Sequence, residues 1–286
     1  MKVAILVPAA WDDDYYVKEL EKQVAMLAEA GIEAVAVEWD KASDDVLRGV
    51  DGVAPLIAWG YHLEPGRWFD LLDRIDFRKV PCANPVPVLR WNSDKAYLEE
   101  LGDKGVPTVP SLTGHSDDDD DLMDRARRHF ADAQEFVVKP LVSASAAGTH
   151  RIARDAALPD DAAGKRMLVQ PFQPEILKSG EMSLIYFGGD YSHAAIKTPK
   201  DGDYRVQPEF GGGEVQVDAP DSARKVAEAA LAAAPGDTAY ARVDLVSDGN
   251  DGWLLMELEL VEPDLFLRYA PDGGAFASAL KDMLSA

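Results

Sequence analysis

The sequence predicts an α/β fold, and three observations predict it. Over roughly the first 85 residues short apolar runs alternate with helical patterns, the signature of a doubly wound parallel sheet. After residue 136 short strands return around a single long helical pattern, so strands and helices go on mixing along the chain. The chain has 286 residues, 47% of them hydrophobic, enough for two or three compact units with sizeable cores.

The elements follow in order. Residues 3–7 form a continuous apolar run, and from Tyr15 to Ala30 the residues Val17, Leu20, Val24, Leu27 and Ala28 recur at helical spacing before Gly31. The triple aspartate Asp12, Asp13 and Asp14 reads as a helix start with solvated carboxylates, with a metal site as the other reading. Strand signals recur at residues 34–37, 53–57 and 80–83. No glycine-rich fingerprint follows the first strand, so the unit is not read as dinucleotide-binding. Pro85 and Pro87 predict an extended boundary, and Ser93 has the side chain to cap a helix running through Leu98 to Lys104. Residues 106–110 are extended. The aspartate run 117–121 reads as a solvated loop whose charge suits the start of a helix continuing through Met123 and Phe130. Further strands are expected at 136–139, 167–170, 182–187, 194–197, 239–246 and 253–258, with helices over 221–234 and 274–284. There is no internal repeat.

Composition excludes several functions. Lys+Arg number 29 against 51 Asp+Glu, a net charge of −22. That field repels phosphate backbones and anionic lipid, so neither nucleic acid nor membrane is an expected partner. The one cysteine, Cys82, allows no intramolecular disulfide and no cysteine-based zinc site. The first apolar run stops at Pro8, too short for a signal peptide, and nothing approaches the roughly 20 apolar residues of a membrane span. A cytoplasmic location is expected.

Three features carry chemistry. Two apolar strands flank a turn of Asp, Gly and Asn at residues 247–252, a hairpin with a long loop. Arg242 and Asp244 lie two apart on the first strand, and Glu257 and Glu259 two apart on the second. Period-2 geometry puts each pair on one face. If the faces coincide, three carboxylates and a guanidinium converge, and such hard oxygen donors suit Mg²⁺; the other reading is a solvated polar face. Secondly, Lys139 ends an apolar strand and precedes a Ser/Ala/Gly loop at 143–148, where backbone can approach phosphates closely. A solvated strand terminus explains the lysine equally. Thirdly, a strand runs through Gln170 into Pro171 and Phe172, where an adenine edge could be read or a simple hinge formed.

Taken together, Asn92-Ser93-Asp94-Lys95, Lys139 with its small-residue loop, and Arg242-Val243-Asp244 followed thirteen positions later by Glu257-Leu258-Glu259 resemble the ATP-grasp ligases. That superfamily includes D-alanine–D-alanine ligase, glutathione synthetase and the ribosomal-protein glutamate ligases. The resemblance implies a substrate-side α/β domain over residues 1–90 and two α+β subdomains, 91–170 as the lid and 171–286 with the metal site, that sandwich ATP. It implies that Lys95, Lys139 and Lys197 reach phosphates, that the loop bearing Ser143, Ser145 and Gly148 closes over them, that Gln170 and Phe172 meet adenine, and that Glu181 lies near the ribose. Arg242 would contact the reacting phosphate. Arg205, ahead of the glycines 211–213, would face the phosphoryl group or the substrate carboxylate. Asp244, Glu257 and Glu259 would hold two Mg²⁺ ions, with Mn²⁺ as a substitute. The implied activity is ATP-dependent joining of a small amino-acid-like carboxylate to an amine, and a homodimer is compatible with it. A small-molecule kinase and a non-catalytic nucleotide-binding regulator are the alternatives. Two departures stand out: Glu259 replaces the family's asparagine, and Glu262-Pro263-Asp264 replaces its usual continuation toward proline and glycine.

Overall fold

The computed structural model describes residues 1–9, 14–118, 121–206, 211–270 and 273–286, with the side chains of residues 14 and 15 outside that set. Asp12 and Asp13 thus lie outside the described residues. The chain opens with β1 (Lys2–Val7), α1 (Asp14–Glu29), β2 (Glu33–Glu38), α2 (Asp44–Arg48), β3 (Gly52–Ala54) and α3 (Pro65–Arg78). The three strands form a parallel sheet of order β2-β1-β3, with Val3 opposite both Ala34 and Gly52. The central β1 is almost wholly buried, which is why it reads as an unbroken apolar run. Two expectations shorten here. The strand expected over 53–57 ends at Ala54, before Pro55, and that expected over 80–83 is a single bridge between Cys82 and Val53, flanked by Pro81, which has no N–H to give.

The expected extended boundary is helical. Pro87 falls within the first turn of α4 (Val86–Asn92), with Pro85 immediately before it, where a missing N–H costs no helical bond. Ser93 caps no following helix. It ends α4, donating its hydroxyl to the Leu89 carbonyl at 2.7 Å and accepting from the Trp68 indole at 2.9 Å. The next helix, α5 (Tyr97–Asp103), follows Ala96 with no side-chain cap; Asp94 makes a turn just ahead of it, accepting from the Ala96 N–H at 3.0 Å.

Two antiparallel sheets follow. One consists of β4 (Leu112–His115), β5 (Glu135–Pro140), β6 (His150–Ala153) and β7 (Arg166–Pro171), in the order β4-β7-β5-β6, and α6 (Leu122–His129) packs on it. Asp121 accepts from the Asp124 N–H at 2.9 Å, so the aspartate run does end in a helix cap, while residues 119 and 120 lie outside the described set. After α7 (Ile176–Ser179) the second sheet combines β8 (Glu181–Phe187), β9 (Asp190–Thr198), β10 (Gly213–Val217), β11 (Tyr240–Ser247) and β12 (Trp253–Glu259), in the order β10-β9-β8-β11-β12. The helix α8 (Asp221–Ala232) covers it, and α9 (Gly273–Ser285) closes the chain.

The units interlock. Asn84, fully buried, accepts from the Ala239 N–H at 2.8 Å and donates to the carbonyls of Tyr240 and Leu260. Asn92 does the same for Leu258 and Leu260. Both amides act as strand neighbours at the end of the β11–β12 hairpin, which fixes the parallel-sheet unit against it. No described helix is long and apolar enough to cross a membrane.

Candidate active site

The hairpin faces coincide. Arg242 lies opposite Glu259, and Asp244 opposite Glu257, so all four side chains stand on one side of the sheet. A β-bulge follows Asp244, after which Leu245 faces Leu255 and Val246 faces Leu254. The face therefore changes character along its length. Its charged end holds Arg242, Asp244, Glu257 and Glu259; beyond the bulge, Val246, Leu254 and Met256 pack with Val109, Phe172 and Ile176 in an apolar cluster.

Cations answer the acids one by one. The Arg242 guanidinium donates to both Asp244 oxygens at 3.0–3.1 Å and also pairs with Glu259. Lys95 holds Glu257 at 2.6 Å and donates to the Ser143 carbonyl at 2.8 Å, which ties the start of the small-residue loop to the acids. Lys197 pairs with Glu181 and reaches Asp244 at 3.5 Å. The Ser183 hydroxyl, one strand over, donates to Asp244. Burial opposes charge on Asp244, but Arg242 and Lys197 outweigh it and hold the carboxyl down at about 2. Lys139 differs: it is buried, with no ion-pair or hydrogen-bond partner for its ammonium among the described residues, and burial lowers its pKa. Burial likewise lifts Glu259 to about 7, despite Arg242.

Among the described residues no three carboxylates, imidazoles or thiols are gathered into a ready metal cage. Asp244, Glu257 and Glu259 hold an arginine and lysines instead. The donor set still fits Mg²⁺: it is all hard oxygen, partly open at Glu257 and Glu259, and short of positive charge at Glu259.

The loop after β5 is bent tightly. Ser145 and Ala146 both adopt left-handed backbone, at φ 48° and 56°, and Gly148 does so at 67°, where an added Cβ would lie 3.0 Å from Pro140. The buried Ser143 donates to the Pro140 carbonyl at 3.0 Å. Gln170 is buried on β7 and donates to Ser111 at 2.9 Å, while the Phe172 ring carries the Arg151 guanidinium at 3.7 Å from its centre. Arg205 is held by its own segment, donating to Asp203 at 3.1 and 2.7 Å. Residues 207–210, just before the glycines, lie outside the described set.

Sequence reasoning passed over several residues that the fold delivers here. Ser183 reaches Asp244 across a strand pair 61 residues apart. Trp59, Tyr61 and His62 follow β3, at the carboxyl edge of the parallel sheet where its order reverses, the usual place for ligands in open α/β sheets. Trp59 donates its indole N–H to the Glu262 carbonyl at 3.2 Å. Lys95 lowers the His62 pKa further after burial has done so. Nothing in local spacing announces these meetings.

Known proteins share this arrangement of elements. A family model for the N-terminal domain of D-cycloserine synthetase DcsG matches residues 3–84. The cycloserine biosynthesis protein DcsG of Streptomyces lavendulae is 30% identical over 274 residues, covering 89% of this chain and 90% of that protein. The crystal structure of D-cycloserine synthetase DcsG superposes with a TM-score of 0.87 at 28% identity, covering 99% of this chain and 100% of that one. The D-alanine–D-alanine ligase of Bacillus anthracis complexed with ATP superposes at 0.69 with 15% identity, over 100% and 96% of the two chains, a likeness of fold.

Proposed function

Because the chain belongs to the ATP-grasp carboxylate–amine ligases, as a homologue of the cycloserine biosynthesis protein DcsG, we propose that it activates a small amino-acid-like carboxylate as an acyl phosphate for attack by an amine, releasing ADP and phosphate. The observation that carries this reading is the hairpin face, charged at Arg242, Asp244, Glu257 and Glu259 and apolar beyond the bulge, with Lys95, Lys139 and Lys197 gathered on the charged end. ATP has the same polarity: a triphosphate at one end and an adenine at the other.

Each residue then has a task. The uncommitted ammonium of Lys139 is available to the phosphates, and Lys95 and Lys197 can turn to them from Glu257 and Glu181. Asp244, Glu257 and Glu259 would hold Mg²⁺, one or two ions, with Mn²⁺ as a substitute; the metal would neutralise phosphate charge. Arg242 supports the transferring phosphoryl group electrostatically. The loop at 143–148 would shield the acyl phosphate from water. In the second step the amine nitrogen bonds to the acyl carbon, the carbon–oxygen bond to phosphate breaks, and a proton leaves nitrogen with the phosphate. The relationship to a D-cycloserine synthetase favours a substrate that carries both groups, so that ligation closes a ring.

Interception tests it. With ATP, Mg²⁺ and a carboxylate substrate, hydroxylamine should yield a hydroxamate and ADP in equal amount. Pyrophosphate and AMP would replace this chemistry by adenylation, and a phosphorylated product that resists hydroxylamine would make the protein a kinase. Glu257→Gln should lower hydroxamate formation by about 10²-fold or more.

A further inference from the structure

Glu262 is a carboxylate without a cation. It follows the metal-facing hairpin by three residues, in the segment that departs from the family pattern, and its side chain is only partly shielded from solvent. Its backbone carbonyl is fixed by the Trp59 indole at 3.2 Å. The carboxyl group lies within electrostatic reach of Glu259, Glu257, Arg242, Lys95 and Tyr61. Both cations in that set are committed, Arg242 to Asp244 and Glu259, and Lys95 to Glu257 and the Ser143 carbonyl. Among the described residues no hydrogen bond or ion pair reaches the Glu262 side chain. A partly shielded carboxyl group crowded by other acids costs free energy unless a cation or strong donors meet it.

The other wall of the same space repeats the signal. His62, from the carboxyl edge of the parallel sheet, also lies in reach of Lys95, and its buried Nδ1 has no hydrogen-bond partner. Its neighbour Tyr61 stacks edge-on against it, 6.1 Å between centres, and lies within electrostatic reach of Glu262. An unpaired acid and an unpaired imidazole nitrogen therefore both lie within reach of Lys95, in two segments that the Trp59–Glu262 hydrogen bond ties together, beside the face where phosphoryl transfer would occur.

We infer that Glu262 receives the ammonium group of the substrate whose carboxylate is phosphorylated, with His62 as a second polar contact, so that the site selects an amino acid over the same acid without its amino group. This rests on the ligase reading above. The placement suits it, because an α-ammonium lies two bonds from its carboxyl carbon, and Glu262 lies within electrostatic reach of Arg242, Lys95 and Glu259 on the charged face. Glu262 is thus a specificity-determining residue.

The test uses D-alanine against propionate and D-serine against 3-hydroxypropionate, with the L-amino acids alongside, in ATP-dependent hydroxamate formation by the full chain. Wild type should prefer the amino acid. Glu262→Gln should raise its KM about 10- to 100-fold with little change in kcat, leave the KM of the matched des-amino acid within about twofold, and leave ATP affinity and the Mg²⁺ midpoint unaltered. Glu262→Asp should recover part of the loss, which a merely structural role would not predict. A shifted Mg²⁺ midpoint would make Glu262 a metal ligand and overturn the assignment, as would a fall in kcat at constant KM or equal losses for both acids. Calorimetric titration of D-alanine and D-serine into protein holding ADP and Mg²⁺ repeats the comparison without turnover. Absence of hydroxamate with binding still dependent on Glu262 would overturn the ligase reading alone; binding indifferent to Glu262→Gln would overturn the assignment alone.

Discussion

Glu259 and Asp244 sit on adjacent strands, yet their surroundings push their acidities apart. Asp244 receives Arg242, Lys197 and the Ser183 hydroxyl together, whereas Glu259 shares Arg242 and faces further acids. The consequence for stability has a definite sign. Glu259 titrates at about 7 in the fold, above its ordinary 4.5, so the native state binds its proton more tightly than the unfolded chain does. Stability of the wild type, relative to Glu259→Gln, should fall as pH rises from about 4.5 to about 7 and then level off; denaturant titrations across that range check it. Asp244, held at about 2, acts the opposite way, and its contribution is lost as pH falls from 3.8 toward 2. A difference between wild type and Glu259→Gln that grows with pH would mean that the guanidinium outweighs burial.

At the scale of elements, the β8–β9 pair depends on one glycine. Gly180 enters β8 at φ 75°, and an added Cβ would stand 2.4 Å from the Lys197 carbonyl oxygen, a backbone atom that cannot swing aside. The next residue, Glu181, lies opposite Lys197 in the ladder and pairs with it. Gly180→Ala should therefore separate the start of β8 from β9, cost about 2 kcal/mol or more of stability, and weaken ATP binding through the displaced Lys197. Calorimetric melting and nucleotide titration measure the two effects. Near-native values in both would show that the strand start tolerates a register change. The bulge after Asp244 is a second device of this kind, since it turns the hairpin face from charged to apolar within one residue.

For the whole molecule, the last helix joins the first sheet's unit to the five-stranded sheet. Phe276, Leu280 and Leu284 of α9 join Val3, Ile5 and Leu27 of the N-terminal unit and Ile185, Phe187 and Tyr240 of the five-stranded sheet in one buried cluster. A Cβ on Gly52 of β3 would lie 2.8 Å from Leu284, so closely does the helix approach. This shared core packs residues of 1–90 directly against residues of 171–286. Phe276 is fully buried, and Phe276→Ala should cost about 3–5 kcal/mol, with the parallel-sheet unit and the five-stranded sheet losing structure in a single transition. Hydrogen exchange that leaves β1 protected while β8 opens would contradict the shared core.

Local pattern was enough for some of this and not for the rest. The sequence by itself determined the strands with unbroken apolar runs, the long helices, and the two-residue spacing that puts Arg242 with Asp244 and Glu257 with Glu259, because side-chain direction repeats every two residues along any strand. It left β4, β6 and β10 unread, since short, half-exposed strands carry little hydrophobic signal. It misjudged Pro85, Pro87 and Ser93, whose residue types suit a helix start, an extended linker and a cap alike. What the tertiary structure decided was who meets whom: Lys95 with Glu257 and Ser143, Ser183 with Asp244, and Trp59 with Glu262, with His62 in reach of the same lysine. Those pairs lie up to 203 residues apart, and strand register and sheet order, which no local spacing encodes, bring them within a few ångströms.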